Sequence, residues 1–284
     1  MSAGEVHDRT GACADAKKAG LGWFRLYRVL ASASIRAKMQ YKFDFIGSTV
    51  IQAVTGLYDF FLVAVILWKF RTVAGWDIYE IGLLYSISRL AWGLYRVFCD
   101  EIDQFERYIV AGEFDSVLVR PYPSLFVLAS RNLNLSRLGW VVQGIGVLSA
   151  SVVKLVRTSK LSLAAVSYLP VAVAATTCLF LAIGVATSSA AFWIVRVEEL
   201  QVFTENASGT ATLYPLDIYP NWLKRMLLWV LPLGAGNYVP LRYLLGKGGS
   251  AADLLVPVLA SVVALWGALR LWRIGESRYH STGS

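Results

Sequence analysis

The sequence has few of the residues on which most enzyme and metal sites are built. It contains two histidines, His7 and His280, and both lie near its ends. Its three cysteines, Cys13, Cys99 and Cys178, are scattered and odd in number, so they fit neither a disulfide framework nor a metal site. The motifs G-x-S-x-G and H-E-x-x-H are absent, and "LLGKGG" lacks the spacing and the hydroxyl of a phosphate-binding loop. We therefore expect no catalytic residue, no metal and no cofactor in this chain.

Charged residues are also scarce. They make up 16% of the chain, whereas 56% of it is hydrophobic and the mean hydropathy is +0.54. The runs "STVIQAVTGLYDFFLVAVILW" and "LVPVLASVVALWGALRLW" are each about long enough to cross a bilayer, which takes ~20 mostly apolar residues. These features predict a polytopic membrane protein. The net charge of +8 then favours contact with anionic lipid beside the spans rather than with nucleic acid.

The apolar runs predict an all-α membrane protein with six transmembrane helices. The predicted spans are at about 45–68, 78–99, 138–156, 163–192, 199–216 and 252–271. The fifth span is weak because it holds Glu205, Asn206 and several hydroxyls. The region 214–250 before the last span is interrupted by prolines, and its apolar run, Leu223 to Leu233, is too short to cross a bilayer. We expect it to form a re-entrant or interfacial segment on the outer side.

Residues 21–40, "LGWFRLYRVLASASIRAKMQ", have the pattern of a basic amphipathic helix. Trp23, Tyr27 and Leu30 recur at helical spacing on one face, opposite Arg28. Since a span follows at once, we expect this helix to lie in the membrane interface. The alternative is the amphipathic start of a soluble helix.

Lysine and arginine are concentrated before the first span and in the C-terminal "RLWRIGESRYH". Basic flanks face the cytoplasm, so both termini are expected there, with the protein in the plasma (inner) membrane. Residues 1–20 are then a disordered cytoplasmic tail and 276–284 a second cytoplasmic tail. Two cytoplasmic ends require an even number of spans, which favours keeping the fifth. The cluster Lys154, Arg157 and Lys160 conflicts with this orientation because it falls outside.

A charged segment, 100–123, "DEIDQFERYIVAGEFDSVLVRPYP", falls between the second and third spans on the cytoplasmic side. It carries a short apolar stripe on either side of Gly112 and ends at Pro121. This pattern fits a short amphipathic helix, bent at the glycine, that docks a partner. An ordinary solvated loop is the alternative.

Three features together resemble the integral-membrane subunits of type-two ABC exporters, in the subgroup whose permeases are encoded without their own ATPase. They are the interfacial helix, "GEFDSVLVRPYPSLF" after the second span, and "YPLDIYPNWLKRMLLWVLPLGAGNYVPLRYLLG" before the last. The resemblance covers residues 21–275. It implies a permease subunit that forms half of a translocation pathway with a second identical or related permease. Separate ABC ATPase subunits would hold ATP and Mg, and the exported substrate is unknown.

The resemblance also implies a role for 100–123. In such permeases this segment is the coupling helix, which fits a cleft in the ATPase subunit. Glu113, Phe114, Asp115 and Arg120 match the motif positions, so they are the expected ATPase-coupling residues.

Ionisable residues inside the predicted spans suggest a polar path. Asp59, Arg89, Arg96 and Glu205 lie on polar stripes at helical spacing. Such residues are costly in lipid and mark either function or an internal pair. Asp59 and Arg89 lie at depths that differ by only about 3 Å, which predicts an ion pair between them. Arg89 could instead reach Glu80 or Glu205, and the glycines and serines of the stripes could serve close helix packing.

Two other functions fit a six-span chain less well. A membrane-embedded lipid-modifying enzyme would need a catalytic constellation on the loops. Half of a secondary transporter would show an inverted repeat with paired broken helices. Neither pattern is evident in the sequence.

Overall fold

The structure, a computed structural model, describes most of the chain from residue 42 onwards. The predicted tail 1–20 and the predicted interfacial helix 21–40 lie outside the described residues, apart from Ser32. The described ranges are 42–70, 72–194, 196–211, 214–229 and 231–279. Within these ranges the regular elements are helices, and the one β-bridge joins Val73 to Trp76 in a turn.

Twelve α-helices are numbered here in chain order through the described residues. They are α1 Lys42–Phe70, α2 Ile78–Asp103, α3 Phe105–Val110, α4 Phe114–Leu118, α5 Ser124–Arg131, α6 Leu138–Arg157, α7 Leu163–Ser189, α8 Glu198–Ala211, α9 Asn221–Trp229, α10 Leu233–Gly236, α11 Tyr238–Leu244 and α12 Val256–Ser277. Short 3-10 turns occupy Leu135–Arg137, Ala190–Phe192, Leu216–Ile218 and Ala251–Leu254.

Among the described residues, three helices are long and apolar enough to cross a membrane: Leu135–Arg157, Leu163–Phe192 and Val256–Ser277. They coincide with the third, fourth and sixth predicted spans, which confirms a multi-pass helical membrane protein. The last one begins four residues later than predicted, because Ser250 and Asp253 cap a separate 3-10 turn before it. The first and second predicted spans correspond to α1 and α2.

Helix α2 lies at the centre of the bundle, between α6 and α7, and most of its residues are buried. Helix α12 packs against α7, and α1 packs against α6. Small residues allow the close approach of α2 to α6. A Cβ at Gly93 would lie 2.9 Å from Val141, and a Cβ at Gly144 would lie 2.9 Å from Leu90. Here the glycine of the polar stripe serves packing, which was one of the two sequence-based interpretations.

The bundle has two ends, which we name after a buried aromatic residue at each. The Trp76 end holds the start of α2, the 3-10 turn Leu216–Ile218, α9 and α11. The Phe114 end holds α3, α4 and α5 together with the ends of α2, α7 and α12. The proline-interrupted region 214–250 therefore folds as short helices. Helices α9 and α11 pack at the Trp76 end, whereas α10 reaches further into the bundle, where Leu233 packs against Ala91, Tyr95 and Phe180.

Helix α8, Glu198–Ala211, falls where the weak fifth span was predicted. Its 14 residues span about 21 Å, less than the ~30 Å of a hydrocarbon core. Residues 212 and 213 are not described, and a 3-10 turn follows at Leu216–Ile218. The fifth span at 199–216 and the six-span layout stay predictions.

Candidate coupling element and the braced end of α2

The segment 100–123 folds as two short helices rather than one bent helix. Its first four residues complete α2, which extends to Asp103. Helices α3 and α4 then follow, separated by a turn at 111–113. Gly112 in that turn has φ of 67°, a left-handed conformation that glycine adopts without steric cost. We call residues 105–120 the coupling element.

One face of the coupling element is buried in the chain's own core. Phe114 is fully buried, and its ring centroid lies 5.0 Å from that of Phe105 and 5.6 Å from that of Phe192. Trp272 of α12 lies 4.6 Å from Phe105, and its indole donates to Ser124 Oγ at 3.0 Å. Phe114 is thus placed to hold the element against the bundle. Direct contact of Phe114 with a partner, which the sequence motif suggested, does not fit this burial.

The opposite face is exposed and partly apolar. Val119 is 85% exposed, Val110 62% and Leu118 39%. Glu113 is exposed beside them, with a carboxylate oxygen 3.8 Å from the Arg131 guanidinium. An apolar patch of this kind with a charged edge is a surface that a partner could cover.

Asp115 and Arg120 lie between the two faces, and both are half-buried. The Asp115 carboxylate lies beside the Tyr279 hydroxyl near the end of the described chain. Burial and this carboxylate raise the pKa of Tyr279. Together with Glu113 and Phe114, the four predicted coupling residues therefore gather around α4, although they face different surroundings.

A buried ion-pair cluster closes the Phe114 end of α2. The guanidinium of Arg96 bonds Asp100 at 2.8 Å and Asp103 at 2.6 Å. The hydroxyl of Tyr95 donates to the other oxygen of Asp103 at 2.5 Å. Gly184 of α7 makes room for this contact, because a Cβ there would overlap the Tyr95 hydroxyl.

The same turn of α2 is kinked. Cys99 has non-helical angles, φ −132° and ψ 15°. The carbonyl of Val97 accepts a hydrogen bond from the Asn134 backbone N–H at 3.1 Å. The Asn134 side chain also donates to Asp100 at 2.9 Å. A residue from the segment after α5 thus inserts at the kink, while Arg96 braces it from the other side.

The coupling element is tied to α2 by a second polar cluster. Glu101 of α2 accepts hydrogen bonds from the Tyr108 hydroxyl at 2.5 Å and from Arg107 at 2.9 Å. Burial and the Glu101 carboxylate raise the pKa of Tyr108, so its hydroxyl remains a donor. A displacement of α3 would therefore be carried to the last turn of α2.

A polar cavity of about 400 Å³ lies between α2, α3 and α8 at this end. Its charged lining residues are Arg96, Asp103, Glu106, Arg107 and Glu198. Glu106 also accepts a hydrogen bond from the backbone N–H of Val197 at 2.8 Å, which fixes the start of α8 to α3. Arg96 therefore belongs to an internal ion-pair cluster that borders a polar cavity.

Of the other predicted residues of the polar path, Arg89 has a described side chain. Arg89 is half-buried, with its guanidinium 5.3 Å from the ring centroid of Tyr85. The side chains of Asp59 and Glu205 lie outside the described residues, so their pairing with Arg89 stays a prediction. Glu80, the third possible partner, is bonded to Lys160 and Lys247 at the Trp76 end.

Acidic residues at the Trp76 end pair with three of the lysines there. Lys160 bonds Asp77 at 2.5 Å as well as Glu80. Lys224 bonds Asp217 at 2.8 Å. At least one member of the basic cluster that conflicted with the predicted orientation is thus neutralised within the fold.

Sequence reasoning missed several residues of this site, among them Asp103, Asn134 and Val119. Asp103 could have been found, because it lies seven residues after Arg96 and therefore on the same helical face. No sequence pattern around Asn134 indicates its role, because its contacts with Val97 and Asp100 depend on the path of the segment after α5. Val119 was missed because its exposure depends on how α4 rests on the bundle.

The long apolar helices and the buried polar clusters define a multi-pass helical membrane protein. Residues 53–283 match the family model described as ABC-2 family transporter protein. The chain therefore belongs to the ABC-2 transporter family, whose permeases are membrane components of transport that associate with an ATPase component. No curated protein and no solved structure matches this chain.

Proposed function

We propose that the chain is the permease subunit of an ATP-driven ABC exporter and couples to a separately encoded ATPase through the coupling element. The observation that carries the proposal is the two-sided character of residues 105–120. Their aromatic face is locked into the bundle by Phe114, and their other face presents Val110, Leu118 and Val119 to the surroundings. A partner that binds the exposed apolar patch could displace the coupling element. Because the element is packed rigidly against the bundle, the displacement would reach the helices that it contacts.

The contacts of the coupling element suggest two routes by which movement could enter the membrane. One runs through Tyr108 and Glu101 into the kinked end of α2. The other runs through the aromatic cluster of Phe114 and Trp272 into α12. Because α2 is the central helix and α12 is a span on the far side of α7, both routes reach helices that could line a pathway.

The rest of the proposal concerns the complete transporter. Two permeases, identical or related, form the pathway, and ATP and Mg are held by the ATPase. The Phe114 end faces the cytoplasm, since Arg107, Arg120 and Arg131 lie there. Helix α8 and the residues after it form the fifth of six spans. Asp59, Arg89, Arg96 and Glu205 border the path of an exported substrate.

The test is affinity purification of the full chain from its native membranes, followed by mass spectrometry and an ATP hydrolysis assay. The unaltered chain should recover an ATPase with a phosphate-binding loop. Val119→Asp should lose that ATPase while the chain is still made and inserted, because Val119 contacts no core. Val258→Asn, on the exposed side of α12, is the matched control and should retain it. Recovery of the ATPase in full with Val119→Asp would refute docking at this patch.

A further inference from the structure

An apolar groove of about 640 Å³ lies at the Trp76 end, between α9–α11 and α12. It plays no part in the coupling element or in the polar clusters described above. Its size is that of a ligand-binding pocket. The residues that define its two walls are Leu228, Trp229 and Val239 on one side and Leu259, Ala260 and Val263 on the other.

The groove runs along α12, a helix long and apolar enough to cross a membrane. Along α12 it runs from Val256 to Ala264, which corresponds to about 12 Å of helix. One leaflet of a bilayer has a hydrocarbon depth of about 15 Å. Leu259 and Val263 are 61% and 67% exposed, so the groove opens to whatever surrounds α12. Since α12 is an apolar span, an occupant has to be apolar and extended.

The rim of the groove has the features of a headgroup site. Trp222, Arg225 and Trp229 recur on one face of α9, and the two tryptophans are 65% and 83% exposed. Exposed tryptophans are typical of the membrane–water interface. Arg225 is also exposed and lies one helical turn before Leu228 and Trp229, which line the groove.

Arg225 differs in its contacts from its neighbour Lys224. Lys224 is held by Asp217 and by the Tyr238 hydroxyl. Arg225, by contrast, makes no ion pair with any acidic residue in the described ranges. A guanidinium binds a phosphate group with several N–H donors, and the guanidinium of Arg225 is exposed one helical turn from the residues that line the groove.

We propose that this groove binds one acyl chain of an anionic phospholipid from the leaflet at the Trp76 end, with the phosphate of its headgroup at Arg225. A phospholipid supplies the apolar chain and the anion in a single molecule. An apolar helix of a second copy of the chain would fill the groove but would leave Arg225 without a counter-charge.

The experiment uses the full chain in phosphatidylcholine vesicles that contain phosphatidylglycerol with a photoactivatable diazirine in its acyl chain. After illumination, labelled peptides are mapped by mass spectrometry. Label should concentrate on the peptides that line the groove, well above the exposed face of α1. Arg225→Gln should lower this labelling about fivefold, the factor equivalent to the ~1 kcal/mol that one cation contributes at an anionic surface. Arg157→Gln, an exposed arginine at the same end, should leave it unchanged.

A second variant tests the groove itself. Ala260→Trp fills it and should reduce its labelling to the level of α1, while Arg225→Gln, at an exposed position, guards against a folding artefact. Two outcomes would overturn the proposal. One is labelling that is uniform over all exposed apolar faces and unaffected by Arg225→Gln. The other is an unlabelled groove together with a disulfide between Val263→Cys residues of two chains, which would show that a second copy covers it.

Discussion

Arg96 stabilises the end of α2 by bridging carboxylates on the far side of a break in the helix. Asp100 and Asp103 follow Cys99, where the backbone leaves the helical region, and the guanidinium bonds both. A buried ion pair contributes little compared with an apolar replacement, but removal of one partner leaves an uncompensated buried charge. The cluster is therefore expected to matter more for the geometry of this turn than for total stability.

We predict that Arg96→Gln lowers the free energy of unfolding of the detergent-solubilised chain by about 3–5 kcal/mol. The combined change Arg96→Gln with Asp100→Asn and Asp103→Asn should recover much of this loss, because neither carboxylate then stays buried without Arg96. Arg137, which lies 3.9 Å from Asp100, is 22% exposed and keeps access to water. Arg273→Gln, at an exposed position of α12, is the control. If the triple variant were as unstable as the sum of the separate changes, the cluster would not act as a unit.

Substitutions at Phe114 and at Val119 should distinguish an effect on folding from an effect on docking, although both residues belong to α4 and its C-cap. Phe114→Ala removes a fully buried aromatic side chain and should cost about 3–5 kcal/mol of stability. Val119→Asp changes a side chain that is 85% exposed and should leave the melting temperature nearly unchanged. Thermal unfolding of both variants checks this directly. Equal losses would mean that the two faces of the coupling element are not distinct.

At the scale of elements, the loop regions of the Trp76 end are joined by a polar cluster around Asp217. Its carboxylate accepts hydrogen bonds from the Trp76 indole at 3.1 Å, from Lys224 at 2.8 Å and from the Tyr238 hydroxyl at 2.6 Å. Burial by itself would raise the pKa of this carboxyl, but the three hydrogen bonds outweigh it and lower the pKa. Burial would likewise lower the pKa of Lys224, but its bonds to Asp217 and Tyr238 raise it.

These shifts predict how the Asp217 cluster depends on pH. An acid with a lowered folded pKa contributes fully above its unfolded pKa of about 4, and the contribution is lost as pH falls through the folded value. A lysine with a raised folded pKa contributes fully below about pH 10, and the contribution is lost as pH rises through the folded value. The stability difference between the unaltered chain and Asp217→Asn should therefore be constant from about pH 5 to 9. A difference that disappears within this range would contradict the assigned bonds.

The elements that could be predicted from sequence are those with a continuous apolar run. Helices α6 and α7 were placed within a few residues because their hydropathy alone determines them. The continuation of α2 to Asp103 could not be predicted, since Asp100 and Asp103 resemble a solvated loop unless their pairing with Arg96 is known. The burial of Phe114 could not be predicted either. A short amphipathic stripe predicts that one side of the helix is buried. It does not show whether that side packs against the chain's own aromatic residues or against a partner.

At the scale of the whole molecule, the two ends of the bundle are built differently. At the Trp76 end, ion pairs tie the loops after α6 and α11 to the start of α2, through Lys160 with Asp77 and Lys247 with Glu80. The Phe114 end carries short helices with an exposed apolar patch and a polar cavity. This asymmetry suits a transporter that is closed on one side and driven from the other.

We predict that both termini are cytoplasmic, on the same side as the Phe114 end. Reporter fusions at each terminus, active either in the cytoplasm or outside it, measure this. An insertion of a short tag at the exposed Ser250 should report the outer side, because Ser250 lies at the Trp76 end. A C-terminal fusion that reports outside would contradict the cytoplasmic placement of the Phe114 end, because α12 ends there.

The central claim is that the exposed patch of the coupling element contacts an ATPase, and site-specific photo-cross-linking in native membranes tests it most directly. A photoreactive amino acid replaces Val119, and another replaces Trp222, which is exposed at the opposite end. Cross-linked products are identified by mass spectrometry. The account predicts an adduct between position 119 and an ATPase that carries a phosphate-binding loop, and none from position 222. The absence of an ATPase adduct at position 119, or the same adduct from position 222, would contradict it.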